Sequence, residues 1–229
     1  MAKKLFAALM ALAAIGAFAA ATASANPVIT HPTGTVLATG TKILGTSVGE
    51  TKMTSNLGTI SCSDATLTGT LTKNNTAEGV EGDIESAAFT GTGTTAAGEP
   101  SPECTTTFAG NVSVTPNPAT NGLPWCVKAT TATDEVQIRG GSCTAASRPI
   151  RFTMVFTSGL IGTCVYQRTA AAVGTLTTDV SGQDATAEIS EQEWTKFEGG
   201  AGCPSFGKLD MKFTLETDTE TASPMYFSS

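Results

Sequence analysis

Histidine and large aromatic side chains are scarce in this sequence. Its 229 residues include one histidine, two tryptophans and two tyrosines. Ser-His-Asp and Cys-His sites need a histidine base, so any such site depends on His31. That residue lies close to the predicted new N-terminus, where chains are usually poorly ordered. We therefore expect no histidine-based catalytic or metal site.

Basic residues are also few, and the chain carries a formal net charge of −7 with a pI near 4.7. An acidic surface repels phosphate backbones and anionic lipid heads. We therefore expect no binding to nucleic acid. Charge at this level favours solubility and does not indicate a fold.

Long apolar runs are absent except at the start of the chain. Lys3 and Lys4 precede an apolar stretch over residues 5–20, and Ala23-Ser24-Ala25 follows it. This order is typical of a signal peptide, and we predict cleavage after Ala25. A membrane anchor is the alternative, although the run is slightly short for a membrane span. We expect a secreted, extracellular or cell-envelope protein with no stable membrane insertion after cleavage.

Closely spaced cysteine pairs, the usual mark of zinc sites, are missing. Six cysteines lie beyond residue 25. An even number in an exported protein predicts three structural disulfides, and we expect no metal and no cofactor. The cysteines are Cys62, Cys104, Cys126, Cys143, Cys164 and Cys203.

Threonine and glycine dominate what is present, and apolar residues alternate with polar ones. The alternation is clear over residues 65–71, 150–156 and 209–215, and it is typical of half-buried strands. Clusters of Gly, Asn, Pro and Asp separate these runs, as turns require. The pattern predicts an all-β protein. Only residues 191–197 suit a short helical turn.

The two halves of the chain resemble each other. Residues 53–62 run from Met to Cys and are followed by Gly-Thr-Leu-Thr at 69–72; residues 154–164 do the same and are followed by Gly-Thr-Leu-Thr at 174–177. Each half continues through an acidic stretch to a second cysteine. We interpret this as an internal duplication into units 26–120 and 121–229, two related antiparallel β-sandwich-like units. Whether they share one core or form two stays open.

Duplication also selects among the possible disulfide connectivities. Equivalent cysteines should pair equivalently, which gives Cys62–Cys104 in one half and Cys164–Cys203 in the other. Cys126–Cys143 is then left as the third pair.

Candidate site residues are few, and each has an ordinary structural explanation. Two acidic clusters could perform glycosidase chemistry, although solvated strand faces explain them as well. Asp179 and Asp184 are weak calcium candidates around Gly182. Trp194, in an acidic stretch, is a possible ligand-facing residue, whereas Trp125 beside Cys126 suits the core. The acidic clusters are Glu78, Glu81, Asp83 and Glu85, and Glu188, Glu191 and Glu193.

Three segments resemble a group of small, uncharacterised secreted bacterial all-β proteins. They are residues 27–35, residues 121–126 and residues 207–220, with the sequences PVITHPTGT, NGLPWC and GKLDMKFTLETDTE. The resemblance implies a secreted bacterial protein over most of the mature chain. It implies no activity, ligand or catalytic residue.

Three functional hypotheses follow from these observations. The first is a secreted or cell-envelope protein that is not an enzyme and that binds an unknown extracellular protein or glycan, or has a structural role. The second is a secreted hydrolase that acts on envelope or environmental polymers through its acidic residues. The third is an inhibitor-like module, for which residues 130–139 would form a protruding loop.

Overall fold

The computed structural model describes residues 26–31, 34–94, 100–101, 103–117, 122–129, 135–157, 161–177, 185–218 and 223–228. The predicted signal peptide and the calcium candidates Asp179 and Asp184 lie outside the described residues. The described chain is built from strands and turns, as the sequence predicts. Among these residues no helix has the length and apolarity needed to cross a membrane.

Strands of very different length make up the fold. The longest strands pair into two antiparallel hairpins. In chain order they are β1 (Val28–Thr30), β2 (Lys42–Ser47), β3 (Thr51–Ser55), β4 (Gly58–Cys62), β5 (Asp64–Asn75), β6 (Gly79–Thr94), β7 (Pro100–Ser101), β8 (Cys104–Thr106), β9 (Gly110–Pro116), β10 (Trp125–Ala129), β11 (Glu135–Gly140), β12 (Ile150–Phe156), β13 (Thr163–Arg168), β14 (Ala172–Thr177), β15 (Thr186–Gly199), β16 (Phe206–Thr217), β17 (Ser223–Pro224) and β18 (Tyr226–Ser228).

Alternating burial explains why these segments are strands. In β12 the apolar residues at 150, 152, 154 and 156 are all buried, and the residues between them are half-buried or exposed. In β5 the threonines at 66, 68 and 70 face outward, where β-branched side chains suit a pleated surface. A bulge between Leu71 and Lys73 interrupts the alternation at Thr72, whose hydroxyl is buried. The predicted helical turn at 191–197 is wrong, since these residues lie within β15.

Eight antiparallel strands close into a first ring. The pairings run β2–β5–β6–β10–β11–β14–β15–β16 and return from β16 to β2. Closure gives every strand of the ring a hydrogen-bonded neighbour on each side, so no strand of the ring is an edge strand.

A second ring of eight strands shares the β15–β16 hairpin with the first. Its pairings run β15–β13–β12–β9–β8–β4–β3 and return through β16. The first ring uses the N-terminal part of β15 and the C-terminal part of β16, and the second ring uses the opposite ends. The two rings are therefore stacked end to end.

Aromatic side chains fill the junction between the rings. Phe152 lies at its centre, with ring centroids 5.6 Å from Phe89, 5.1 Å from Trp125 and 4.9 Å from Trp194. All four side chains are buried. Edge-to-face and tilted contacts of this kind add to the stabilisation from burial, and both tryptophans of the chain lie at this level.

The three disulfides have the predicted pairing. Cys62–Cys104 and Cys164–Cys203 stabilise the second ring, and Cys126–Cys143 lies on the wall of the first. In the chain-entropy model, loops of these lengths contribute about 3 to 4 kcal/mol each.

The two separate sandwich-like units expected from the sequence are not confirmed. Each ring contains strands from both 26–120 and 121–229, and each of the two buried clusters draws residues from both halves. The physical reason is ring closure: a half-ring would leave two open edges, and the other half supplies the partners for them.

Candidate functional site

The first ring encloses an apolar chamber of about 120 Å³. Its surface is almost entirely apolar, and every strand of the ring contributes to it. A cavity with such a lining excludes water, because a water molecule inside would find no hydrogen-bond partners. The inward residues include Ile43, Leu71, Val80, Val127, Ile138, Leu176, Ala187 and Leu215.

Small residues at inward positions keep the chamber open. Gly45, Ala129 and Ala187 all line it, at places where larger apolar side chains would fill the space. Several inward residues, Ile43 and Leu215 among them, are only half-buried because they border this space. At about 24 cal/mol per Å³, such a void costs about 3 kcal/mol. This is a sizeable share of the roughly 5–15 kcal/mol by which proteins are stable.

The second ring is filled by comparison. Its interior leaves only about 20 Å³ empty. Met53, Phe152, Tyr166 and Trp194 occupy the space. Among the side chains that the structure describes, Phe213 is the one aromatic residue that lines the chamber of the first ring. Both rings have eight strands, so strand number does not explain the difference. The choice of inward side chains does.

A cap of two terminal strands covers the outer end of the chamber. β1 and β18 pair with each other as a separate two-stranded sheet, and Ile29 of β1 and Met225, just before β18, reach the chamber. Buried Asn74 holds β1 in place. Its side chain accepts from the N–H of Ile29 at 2.8 Å and donates to the carbonyls of Ile29 at 2.7 Å and Leu37 at 2.9 Å.

The carboxylates of the first acidic cluster lie on the outer face, and each has a hydrogen-bond or ion-pair partner there. Glu81 pairs with Lys128 at 3.0 Å and with Lys73 at 3.3 Å. Burial by itself would raise the pKa of Glu81, but the hydrogen bonds from the two lysines outweigh it and lower the pKa below its usual range. Asp83 instead accepts the backbone N–H of Cys143 at 2.6 Å.

Glu85 and Glu78 complete this cluster. Hydrogen bonds from Lys42 and then Thr70 lower the pKa of the Glu85 carboxyl. Glu78 is exposed and pairs with Lys73 at 3.5 Å. These carboxylates are thus used in surface pairing and do not converge on a common cleft.

The second acidic cluster is likewise spread along an outer face. Glu188 pairs with Lys212 at 3.3 Å and Glu191 with Lys208 at 3.6 Å. Glu193 is exposed, and its carbonyl accepts a hydrogen bond from Arg168 at 2.8 Å. Ion pairs of this exposed kind usually contribute less than about 1 kcal/mol.

An open depression on the outside of the first ring brings two carboxylates near each other. Glu135 and Glu188 both lie opposite Thr175, on the strands to either side of it. Two strand spacings separate their backbones by about 10 Å. Gln137 donates to Glu135 at 2.7 Å. Sequence reasoning does not connect Glu135 with Glu188, because a separation of 53 residues in the chain does not predict adjacency in a sheet.

Comparison with protein-family models, curated proteins and solved structures gives no match. Functional inference therefore depends on the chain's own residues and their geometry.

Trp194 is not a surface residue, and its prediction as a ligand-facing side chain is wrong. Only 2% of it is exposed, within the aromatic junction. A bulge between Ile189 and Gln192, with Glu191 at φ 49°, reverses the alternation of β15. A bulge inserts an extra residue, so side chains beyond it change faces. Trp194 therefore points inward.

Trp125 and Tyr166 are core residues. Trp125 is 3% exposed, and the indole nitrogens of Trp125 and Trp194 have no hydrogen-bond partner among the described residues. Tyr166 donates its hydroxyl proton to the carbonyl of Pro204 at 2.9 Å, and burial raises the pKa of Tyr166. None of these side chains is offered to a ligand at the surface.

Metal-type ligands come together at one place in the described chain, where Asp83 lies beside Cys126 and Cys143. The two cysteines form a disulfide, and disulfide sulfurs are not the thiolates that bind metals. His31 forms a local turn, in which its N–H donates to Thr35 and its carbonyl accepts from Gly34, both at 2.8 Å. In the predicted protruding loop 130–139, residues 135–139 belong to β11.

The chamber is the feature that the sequence analysis missed. The available signal was the presence of small residues at inward positions, above all Gly45 in the middle of β2 and Ala187 near the start of β15. Recognising them as facing one space requires the ring, which the sequence pattern does not specify.

Proposed function

We propose that the protein is exported and acts outside the cytosol as a non-catalytic binding protein. The predicted signal peptide supports export. Three disulfides and the absence of free cysteines among the described residues fit an oxidising compartment, since reducing compartments keep thiols free. As in the sequence analysis, the expected partner is an extracellular protein or glycan. A molecule bound in the chamber is a further expected ligand.

One contrast carries the proposal. Carboxylates of both acidic clusters form ion pairs or hydrogen bonds on outer faces. The wall of the chamber, by contrast, is almost entirely apolar. Its polar residues, Thr68, Thr70 and Asp83, turn their side-chain oxygens to partners outside the lining, so no described side chain offers the chamber a base or a nucleophile. General acid–base chemistry needs a titratable group within hydrogen-bond reach of the substrate. An apolar enclosure of this kind suits retention of a molecule and not its conversion.

Export is tested by expressing the full chain in a bacterial host. We expect the protein in the periplasm or medium, beginning at Asn26, with all six cysteines oxidised. The control is an Ala25→Lys variant, in which signal peptidase loses its small residue and the leader should stay attached. An unprocessed wild-type chain in the cytosol with free thiols would contradict the proposal.

A secreted hydrolase is the alternative, and the Glu135–Glu188 depression is the place that favours it. The carboxyl groups of glycosidases are about 5–10 Å apart. Purified protein should release no sugars or fragments from cell-wall and plant polysaccharides. Release that is abolished by both Glu135→Gln and Glu188→Gln, with folding unchanged, would establish the hydrolase and remove the non-catalytic proposal.

We also propose that the fold arose by duplication. What supports it is the order of pairing, because β2–β5–β6–β10 in the first ring corresponds to β11–β14–β15–β16. In the second ring β3–β4–β8–β9 corresponds to β12–β13–β15–β16. In this proposal β10 ends the first unit, so the boundary moves from 120/121 to between β10 and β11.

A further inference from the structure

We propose that the chamber of the first ring binds one small apolar molecule of about the size of benzene. This inference rests on the proposed binding function and gives it a ligand class. Apolar cavities of about 150 Å³ in other proteins hold benzene or xenon, and the chamber measures about 120 Å³.

The two rings of this chain provide an internal comparison. Both have eight antiparallel strands and a shared hairpin, but one interior is packed with large side chains and the other is not. The second ring shows that eight strands of this chain can surround a well-filled interior. The open chamber of the first ring therefore results from the inward residues of that ring.

Gly45 is the most informative of these residues. Its Cβ position is free: an added methyl would lie 3.5 Å from Leu215 and from Leu67, which is ordinary contact. Its φ is outside the left-handed region that favours glycine. Mid-strand glycine weakens a strand, and no backbone requirement explains it here. Gly45 therefore leaves space in the chamber that a side chain could fill.

Gly69 shows the opposite case on the adjacent strand. A Cβ at Gly69 would come within 2.6 Å of the carbonyl oxygen of Asp83. Close backbone approach therefore explains Gly69 without any ligand. Gly69 is thus required by the close packing of the sheet, whereas Gly45 only enlarges the chamber.

The cap closes the outer end of the chamber. β1 and β18 form their own small sheet, and both the N–H of Leu37 and the side chain of Asn74 hydrogen-bond to Ile29. Met225, just before β18, lines the chamber, and its carbonyl accepts a hydrogen bond from the N–H of Ala185. Ile29 and Met225 are buried, so the cap shields a bound molecule from water on this side.

The test uses the mature, oxidised chain with benzene as the probe. We expect saturable binding of one benzene per chain, with NMR shifts at the methyl groups of Ile43, Leu215 and Met225. Ala187→Leu should weaken binding at least tenfold, because its side chain occupies the chamber. The matched control is Ala88→Leu, on the exposed face of β6, which should bind as the wild type does.

If Ala187→Leu does not fold, Gly45→Ala still tests the inference. One added methyl should weaken benzene binding by a smaller factor of about three. If the wild type shows no saturable benzene binding, or if both chamber variants bind as well as the wild type, the inference is overturned. That outcome does not affect the non-catalytic proposal. Hydrolysis of polysaccharides by the purified protein would contradict that proposal instead.

Discussion

Replacement of Gly45 by alanine should stabilise the protein. The new methyl group would enter the chamber at 3.5 Å from Leu67 Cβ and Leu215 Cδ2 and at 3.7 Å from Phe213 Cδ1. Burying one methyl group contributes about 0.8 kcal/mol. Removing the conformational freedom of glycine from the unfolded chain contributes about 0.4–1 kcal/mol more. The expected gain is about 1–2 kcal/mol.

Thermal and urea unfolding of the oxidised protein measures this gain. For a chain of this size, 1 kcal/mol corresponds to a change in Tm of about 2–4 °C. Gly69→Ala is the matched control, since it adds the same methyl group on the next strand but places it 2.6 Å from the carbonyl oxygen of Asp83. Such overpacking should cost about 1–3 kcal/mol. Equal destabilisation by both variants would refute the reasoning, because it would mean that the space beside Gly45 does not exist.

Three further predictions concern the core, a disulfide and an ion pair. Trp194→Ala should lower the free energy of unfolding by about 3–5 kcal/mol, whereas Trp194→Phe should cost much less because it also removes a buried N–H without a partner; equal losses in urea unfolding would argue against this. Replacing Cys126 and Cys143 by alanine should cost about 3 kcal/mol for a loop of 17 residues, and unchanged stability would contradict it. Glu81→Gln should cost about 1 kcal/mol at neutral pH. Because the pKa of Glu81 is lowered in the folded state, the gap between wild type and Glu81→Gln should persist above about pH 4.5 and close as the pH falls further; a gap that widens in acid would refute the assignment.

The position of Trp194 shows how a local event defeats a pattern. Residues 185, 187 and 189 point inward, and continued alternation would place 193 inward and 194 outward. Four polar residues, 190–193, interrupt the apolar pattern just where the bulge occurs. That interruption was a signal for a change of phase. The direction of that change of phase depends on how β15 pairs with β16, and ring closure fixes this pairing.

The carboxylates show a second limit of the same kind. The acidic clusters are visible in the sequence, but their partners are not. Glu81 finds Lys128 because β6 pairs with β10, and Glu188 finds Lys212 because β15 pairs with β16. Backbone hydrogen bonds between strands do not depend on residue type, so cross-strand neighbours cannot be predicted from chain order.

The sequence by itself determined the secondary-structure class, the inward and outward faces of the regular strands, and the chemistry of the cysteines. These depend on short-range periodicity and on an even cysteine count in a chain for which export is predicted. The predicted duplication extended this to the disulfide pairing. Only the tertiary structure decided that the strands close into two stacked rings, that one interior is filled and the other hollow, and that Trp194 is buried. Those outcomes depend on which distant strands meet, and that is decided by closing every open edge at once.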